Sequence, residues 1–477
     1  MNAFLIQSPH LKPLQNIVRL KNLKVYLVGG FLRDYLLGRP CLDFDFSVEK
    51  GAVALARIFS RKIRGSFVLL DEEHGCARVV RKEQGKLVTF DFADFRAQGL
   101  KGDLSHRDFT INTFCIDIQD INEDVGLSDI LLDWKNGRKD LKQKTIRMVS
   151  PNIFKEDPLR LMRAFSLQAN LEFKIANSTL AQIKKDKDLL SDVSAERVRE
   201  ELFKVLSSPR TSGTLRAMDR VGLLKVVMPQ IEVMYNVKQG GYHHLDVWPH
   251  SLETVVQLEK ILALSQSDPD LSEYLNESLA GTHRRSDILK LAALLHDIGK
   301  PDTRRKENGR MSFHGHEHVG RNIVRSIANM LKFSVRERHM LEDMVLWHLR
   351  PGYLSNFKNS SERSIFRYLR DTKEEAVSIL LLSLADQRST CGPLTTEYDQ
   401  KHHEEIVQDL VQRYFEKKKH PPLVRLIDGH DLIKVLKLKP SPVFAKILRD
   451  VEESHALGKI KTREEALELA RKVAQNN

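Results

Sequence analysis

The spacing of apolar residues changes character near Phe154. Before it, short apolar runs are broken by turn residues; after it, apolar residues recur at helical spacing with little sign of strand. Met1–Leu23 has the pattern of an amphipathic lead-in helix. Lys24–Val28 reads as a strand that stops at Gly29-Gly30, and Phe31–Leu37 as a short helix that stops at Gly38. Asp43, Phe44, Asp45 and Phe46 alternate acid and aromatic, as a strand with one apolar face does. Ala52–Ile63 predicts a helix, and Ser66–Leu70, Cys76–Arg81 and Lys86–Phe92 predict three strands. Trp134–Gly137 is a turn signal before a short strand at Thr145–Val149, and Gln239-Gly240-Gly241 reads as a linker. The expected fold is α/β (α+β): a head with a small mixed sheet, then an all-helical body. The expected domains are 1–150, 151–236, 242–392 and a helical tail over 393–477.

The chemistry gathers on the first of these segments. Side chains two apart on a strand share a face, so Asp43 and Asp45 point the same way. Two acids side by side repel, and a divalent cation removes that cost. The Gly29-Gly30 turn leaves backbone N–H groups at a helix N-terminus, a setting suited to phosphate. Arg33 adds a cation one turn in. A metal pair facing a phosphate cradle is a nucleotidyl-transfer site in outline. Asp91 supplies a third carboxylate if Lys86–Phe92 lies beside the Asp43/Asp45 strand. In G-D-L-S-H-R-D-F-T-I-N, Arg107 is placed to reach a triphosphate and Asp108 to cap a helix.

In E-D-P-L-R-L-M-R-A, Asp157 and Arg160 fall on one helix face, with Arg163 a turn further on. Cytosine and adenine both present an amino donor beside a ring-nitrogen acceptor. A carboxylate takes the first and a guanidinium donates to the second. Uracil and guanine present the reverse order. One Asp–Arg pair therefore selects C and A without a template.

The chain has 477 residues and a formal net charge of +12, which suits several domains and a polyanionic partner. Arg210, Arg216, Arg220 and Lys225 form a candidate RNA-facing set, and Glu416–His420 a basic loop. Four scattered cysteines form no zinc or disulfide framework, and no apolar run approaches bilayer length. The expected compartment is cytoplasmic and reducing, with no membrane partner.

A second cluster lies further on. His250, the adjacent His296 and Asp297 in L-L-H-D-I-G-K, and Asp386 in L-A-D-Q make a set of N and O donors suited to a transition metal. His314, His316, His318 and His348 lie between them, available for phosphate or a second metal.

G-G-F-L-R-D-Y-L-L-G, D-F-D, H-R-D-F-T-I-N, E-D-P-L-R-L-M-R-A and S-A-E-R-V-R-E-E-L resemble the motifs of class II tRNA nucleotidyltransferases, the CCA-adding enzymes and bacterial poly(A) polymerases. The resemblance implies a polymerase-β-like head in which Asp43 and Asp45 hold Mg2+ and Asp91 is the third catalytic carboxylate. It implies nucleotide contacts from Gly29, Gly30, Arg33, Arg107, Arg160 and Arg163, with Asp157 and Arg160 reading the base. The partners it implies are tRNA, CTP and ATP. The His250, His296, Asp297, Asp386 set is similar to the metal ligands of the HD phosphohydrolase superfamily. Two departures bear on specificity. His106 stands where many relatives have a second arginine. The stretch from Arg96 to Asp103 is short, as in relatives that add only C-C, whereas full CCA-adding enzymes carry a longer loop there. A poly(A) polymerase and a non-catalytic RNA-binding protein are the alternatives.

Overall fold

The structure, a computed structural model, describes residues 10–122, 126–240, 244–307, 310–355, 361–419 and 423–475. Residues Met1–Pro9 of the expected lead-in helix, Gly241 and His420 lie outside these. The chain forms two compact units. The first comprises residues 1–205 and 217–227, the second 206–216 and 228–477. Gln239 and Gly240 fall inside the second unit.

The first unit is built on a six-stranded mixed sheet: β1 (Val25–Val28), β2 (Asp43–Val48), β3 (Ser66–Asp71), β4 (Cys76–Glu83), β5 (Lys86–Asp94) and β6 (Cys115–Asp117). Their spatial order is β3-β4-β5-β2-β1-β6. The pair β2–β5 is parallel and the rest are antiparallel. One face of the two central strands is aromatic. Phe44 stacks on Phe90 at 5.2 Å and Phe46 on Phe92 at 4.9 Å, and Phe59 of helix Ala52–Ile63 closes edge-on over both second members. A one-residue slip would turn these rings to the opposite face, so their burial fixes the register. That register sets Asp43 opposite Thr89 and Asp45 opposite Asp91 on the other face. The expected head strands and the mixed sheet are thus present, while the strand expected over Thr145–Val149 spans only Thr145–Ile146 and pairs separately, in parallel, with Lys174–Ile175 of the body expected to be all-helical. Helix Leu11–Leu20 buries Leu11, Leu14, Ile17 and Val18 against this core.

Helices follow. Arg160–Leu171 begins after Asp157, whose backbone is extended. The expectation that Asp157 shares a helix face with Arg160 is therefore corrected: Pro158 disfavours the α conformation in the residue before it.

The second unit is helical apart from two short hairpins. Helices Val247–Leu264, Arg285–Leu295, Val335–Trp347 and Ala376–Ser389 pack around one another, and His316–Met330 lies on Val335–Trp347. Glu416–Lys419 closes the long helix Glu397–Lys419 rather than forming a loop, with Lys419 paired to Asp270 at 2.7 Å. Helices Gly429–Lys434, Val443–Ala456 and Arg463–Gln475 share a small core of their own. No described helix is long and apolar enough to cross a membrane.

Candidate active site

In the first unit, a cleft of about 270 Å³ opens at the edge of β2 and β5. Its floor holds Asp45 and Asp91; Gly29, Gly30 and Arg107 form one wall; Asp157, Arg160 and Arg163 form another. Burial pushes the Asp45 carboxyl above its ordinary range against the pull of Arg107, and Asp91 and Asp43 push the same way. A carboxylate crowded by carboxylates is a place where a cation is favoured. Asp43 stands further out, exposed, and accepts a hydrogen bond from the Thr89 hydroxyl. Asp91 is held by two bonds from Arg78 on β4, both 2.7 Å.

Gly29 makes the meeting of strand and helix possible. Its φ is +81° and ψ −141°, a region essentially closed to other residues. A Cβ there would lie 2.9 Å from Arg107 Nη1 and 3.1 Å from Asp45 Oδ2. Its N–H is taken by the Phe114 carbonyl at 3.1 Å, so it is not open to phosphate as the turn alone implied. Arg107 is steadied from behind. It donates to Ser47 Oγ (3.0 Å), which donates to buried Asp103 (2.9 Å), which also accepts from the Arg96 N–H (3.1 Å). Gly29→Ala is expected to displace Arg107 and Asp45 together and to lower kcat/KM for nucleotide addition by up to about a hundredfold; steady-state kinetics with CTP checks it.

Two expected residues have other duties. Arg33 is buried and does not line the cleft. Its Nη1 donates to Asn112 (2.7 Å) and its remaining nitrogens to Asp34. Asp108 does not cap a helix. It accepts from the Phe109 N–H and Asn112 and pairs with Arg163 at 3.1 Å. Burial opposes its charge, yet Arg163 and these donors hold its pKa below the ordinary value.

In the second unit, six side chains from separate helices converge around Asp297. Its Oδ2 lies 3.2 Å from His296 Nε2 and 3.6 Å from His250 Nε2; its Oδ1 lies 3.3 Å from His316 Nε2 and 3.9 Å from His348 Nε2. Asp386 Oδ1 closes the first set at 2.9 Å from His250 and 3.6 Å from His296. Lys300 Nζ reaches Asp297 Oδ2 at 2.6 Å.

The outer nitrogens settle what the inner ones carry. His296, His316 and His348 each set Nδ1 against a backbone carbonyl three residues back, at 2.9, 2.8 and 2.7 Å. A carbonyl only accepts, so each Nδ1 carries the proton and each Nε2 turns a lone pair inward when neutral. His250 Nδ1 meets Ser389 Oγ at 3.1 Å, and that hydroxyl donates to the Asp386 carbonyl, leaving it free to accept. Lone pairs facing carboxylates need a cation, and the His/Asp chemistry fits a divalent metal. Two donor groups meet this: His250, His296, Asp297 and Asp297, His316, His348. Without a metal, burial opposes charge on His296, but Asp297 and Asp386 push its pKa up to about 10. Burial, with His296 and His316 beside it, pushes His348 down to about 3. His314 and His318 are exposed and stand apart from the group.

Residues 25–147 match the Poly A polymerase head domain, 172–234 the probable RNA and SrmB-binding site of polymerase A, and 247–390 the HD domain. The A-adding tRNA nucleotidyltransferase of Deinococcus radiodurans is 30% identical over 459 residues, covering 94% of this chain and 95% of that protein. The chain belongs to the tRNA nucleotidyltransferase family. The CC-adding tRNA nucleotidyltransferase of Thermus thermophilus is 29% identical over 455 residues, covering 92% of this chain and 91% of that protein. A solved CCA-adding enzyme complexed with ATP shares the fold with a TM-score of 0.65 at 20% identity, covering 98% of this chain and 94% of that one. As a member of this family, the chain is a nucleotidyltransferase. Enzymes with these two domain types depend on metal ions.

Sequence reasoning missed Arg78, Ser47 and Asn112 in this nucleotidyltransferase. Arg78 carried a readable signal, since it stands two residues from Cys76 and Val80 on one strand face and pairs in register with Asp91. Ser47 likewise shares the face of Asp43 and Asp45. Asn112 had none, because its role depends on a turn that brings Thr110–Asn112 beneath helix Gly30–Leu36. Of the candidate RNA-facing set, Arg216 pairs with Glu253 at 3.0 Å.

Proposed function

We propose that this tRNA nucleotidyltransferase adds C-C to the tRNA 3′ end from CTP and stops before the terminal A. The observation that carries this is the connection after the third-carboxylate strand. β5 ends at Asp94 and helix Gly99–Ser105 begins almost at once. Asp103 within it is buried, tied to Ser47 and to the Arg96 N–H. A segment this short and this anchored has no reach to reshape a pocket for a purine. The relatives include both A-adding and CC-adding enzymes, and the anchored segment favours the latter.

Asp43 and Asp45 would hold magnesium ions, with Asp91 beside them. When bound, such ions lower the pKa of an attacking hydroxyl and stabilise charge on phosphoryl oxygens. The tRNA 3′-OH attacks the α-phosphate of CTP and pyrophosphate leaves. Arg107 and Arg163 face the triphosphate and stabilise the charge that grows on it. Asp157 accepts from the cytosine amino group and Arg160 donates to its ring nitrogen. The head domain's name keeps poly(A) addition as the alternative, yet the relatives named above act on tRNA. Free cysteines with no disulfide among the described residues support a reducing, cytoplasmic setting.

The second unit is an HD-type phosphohydrolase. His250, His296, Asp297 and Asp386 would hold one transition-metal ion, with His316 and His348 completing a second position on the far oxygen of Asp297.

The test is to sequence the 3′ ends made from tRNA lacking C-C-A with CTP and ATP both present. Ends at C-C are expected. Rapid, complete addition of a single A to tRNA ending in C-C, at low enzyme, would assign the chain to CCA- or A-addition instead.

A further inference from the structure

The motif S-A-E-R-V-R-E-E-L has no part in the reaction as described so far. It forms the start of helix Ala195–Leu206, and its Arg197 reaches Asp157, which lines the cleft. Arg197 Nη2 lies 3.3 Å from Asp157 Oδ1 and 3.4 Å from Oδ2. We propose that Arg197 is a positioning residue for base selection, holding the Asp157 carboxylate in the orientation that accepts from the cytosine amino group. This rests on the assignment of Asp157 as the base-reading carboxylate.

Asp157 needs an external hold. It sits on extended backbone between two helices, with φ −148° and ψ 99°, so no helical turn packs its side chain. Its local anchor is the Leu159 N–H on Oδ1 at 3.3 Å. Arg160 does not provide another. Its guanidinium is buried and donates to the carbonyls of Ile153 (3.2 Å) and His106 (2.6 Å) and to Glu156 (3.4 Å). Arg197 is the guanidinium that faces the carboxylate. Its N–H spans both oxygens, which stops the group from turning about its own axis, and lone pairs remain on Oδ2 for an incoming donor.

Orientation bears on selectivity more than on binding. Uracil presents a carbonyl oxygen where cytosine presents its amino group. A carboxylate held in place repels that oxygen; one free to swing aside does not. Losing Arg197 should therefore relieve the exclusion of UTP while leaving the triphosphate contacts at Arg107 and Arg163 intact.

The test compares kcat/KM for CTP and UTP on one tRNA in the wild type, R197A, R197Q, R197K, D157A and D157A/R197A. R197A and R197Q are expected to lower the CTP:UTP ratio roughly five- to tenfold, R197K to restore part of it, and the double variant to discriminate no worse than D157A, as coupled neighbours do. An unchanged ratio in both R197A and R197Q, with D157A lowering it, overturns the role of Arg197 and leaves Asp157 as the reader. Additive losses in the double variant overturn it too. An unchanged ratio in D157A overturns the base-reading assignment itself.

Discussion

Asp45→Ala and Asp43→Ala are each expected to abolish nucleotide addition while tRNA binding persists. Two carboxylates on one strand face, with Asp91 opposite Asp45, concentrate negative charge where the proposed reaction places the α-phosphate. Removing one member is expected to forfeit about 4 kcal/mol of transition-state stabilisation, a thousandfold loss or more. Stability should move the other way. Burial raises the Asp45 pKa, so its ionised form opposes folding: its contribution is favourable at low pH and is lost as pH rises through its folded-state pKa. Asp45→Asn is therefore expected to melt no lower than wild type at neutral pH without added metal. A dead enzyme of unchanged melting temperature separates chemistry from folding. Near-normal turnover in either alanine variant removes these residues from the catalytic role.

The alternation of acid and aromatic along β2 and β5 made the carboxylate cluster readable. The same rings that bury themselves on one face turn the acids to the other, so one pattern carried both fold and site. Sequence spacing was less informative where a side chain's partner comes from a distant turn. Arg33 looked like a phosphate ligand from its place in the first helix, but Asn112, 79 residues on, draws it inward. Asp157 looked like a helix neighbour of Arg160, but Pro158 keeps its backbone extended and its carboxylate turns to Arg197. Among the four intervening histidines, spacing could not choose. His316 and His348 enter the cluster because His316 opens its helix and His348 follows the end of its own, and in each the carbonyl three residues back holds Nδ1. His314 and His318 lie on neighbouring positions that face outward.

The second large effect concerns Asp297. Asp297→Asn is expected to abolish the proposed metal binding by the second unit and any metal-dependent phosphohydrolase activity with it, while CMP incorporation stays within about twofold of wild type. Both of its oxygens serve, one toward His250 and His296 and the other toward His316 and His348. An amide of the same shape keeps the packing but offers one weak oxygen donor and no charge. It therefore weakens both positions at once, whereas His348→Ala touches only the far one. Metal content after dialysis is expected to fall furthest in Asp297→Asn, less in His348→Ala. The amide is preferable to alanine, because Asp297 also accepts from the buried Lys300, and an amide oxygen, though uncharged, keeps an acceptor beside that ammonium where alanine leaves none. All of these residues belong to the second unit, and the nucleotidyltransferase cleft is complete within the first. Equal loss of CMP incorporation in a well-folded Asp297→Asn variant would mean that the two sites act as one; full metal content in it would dismiss Asp297 as the shared ligand.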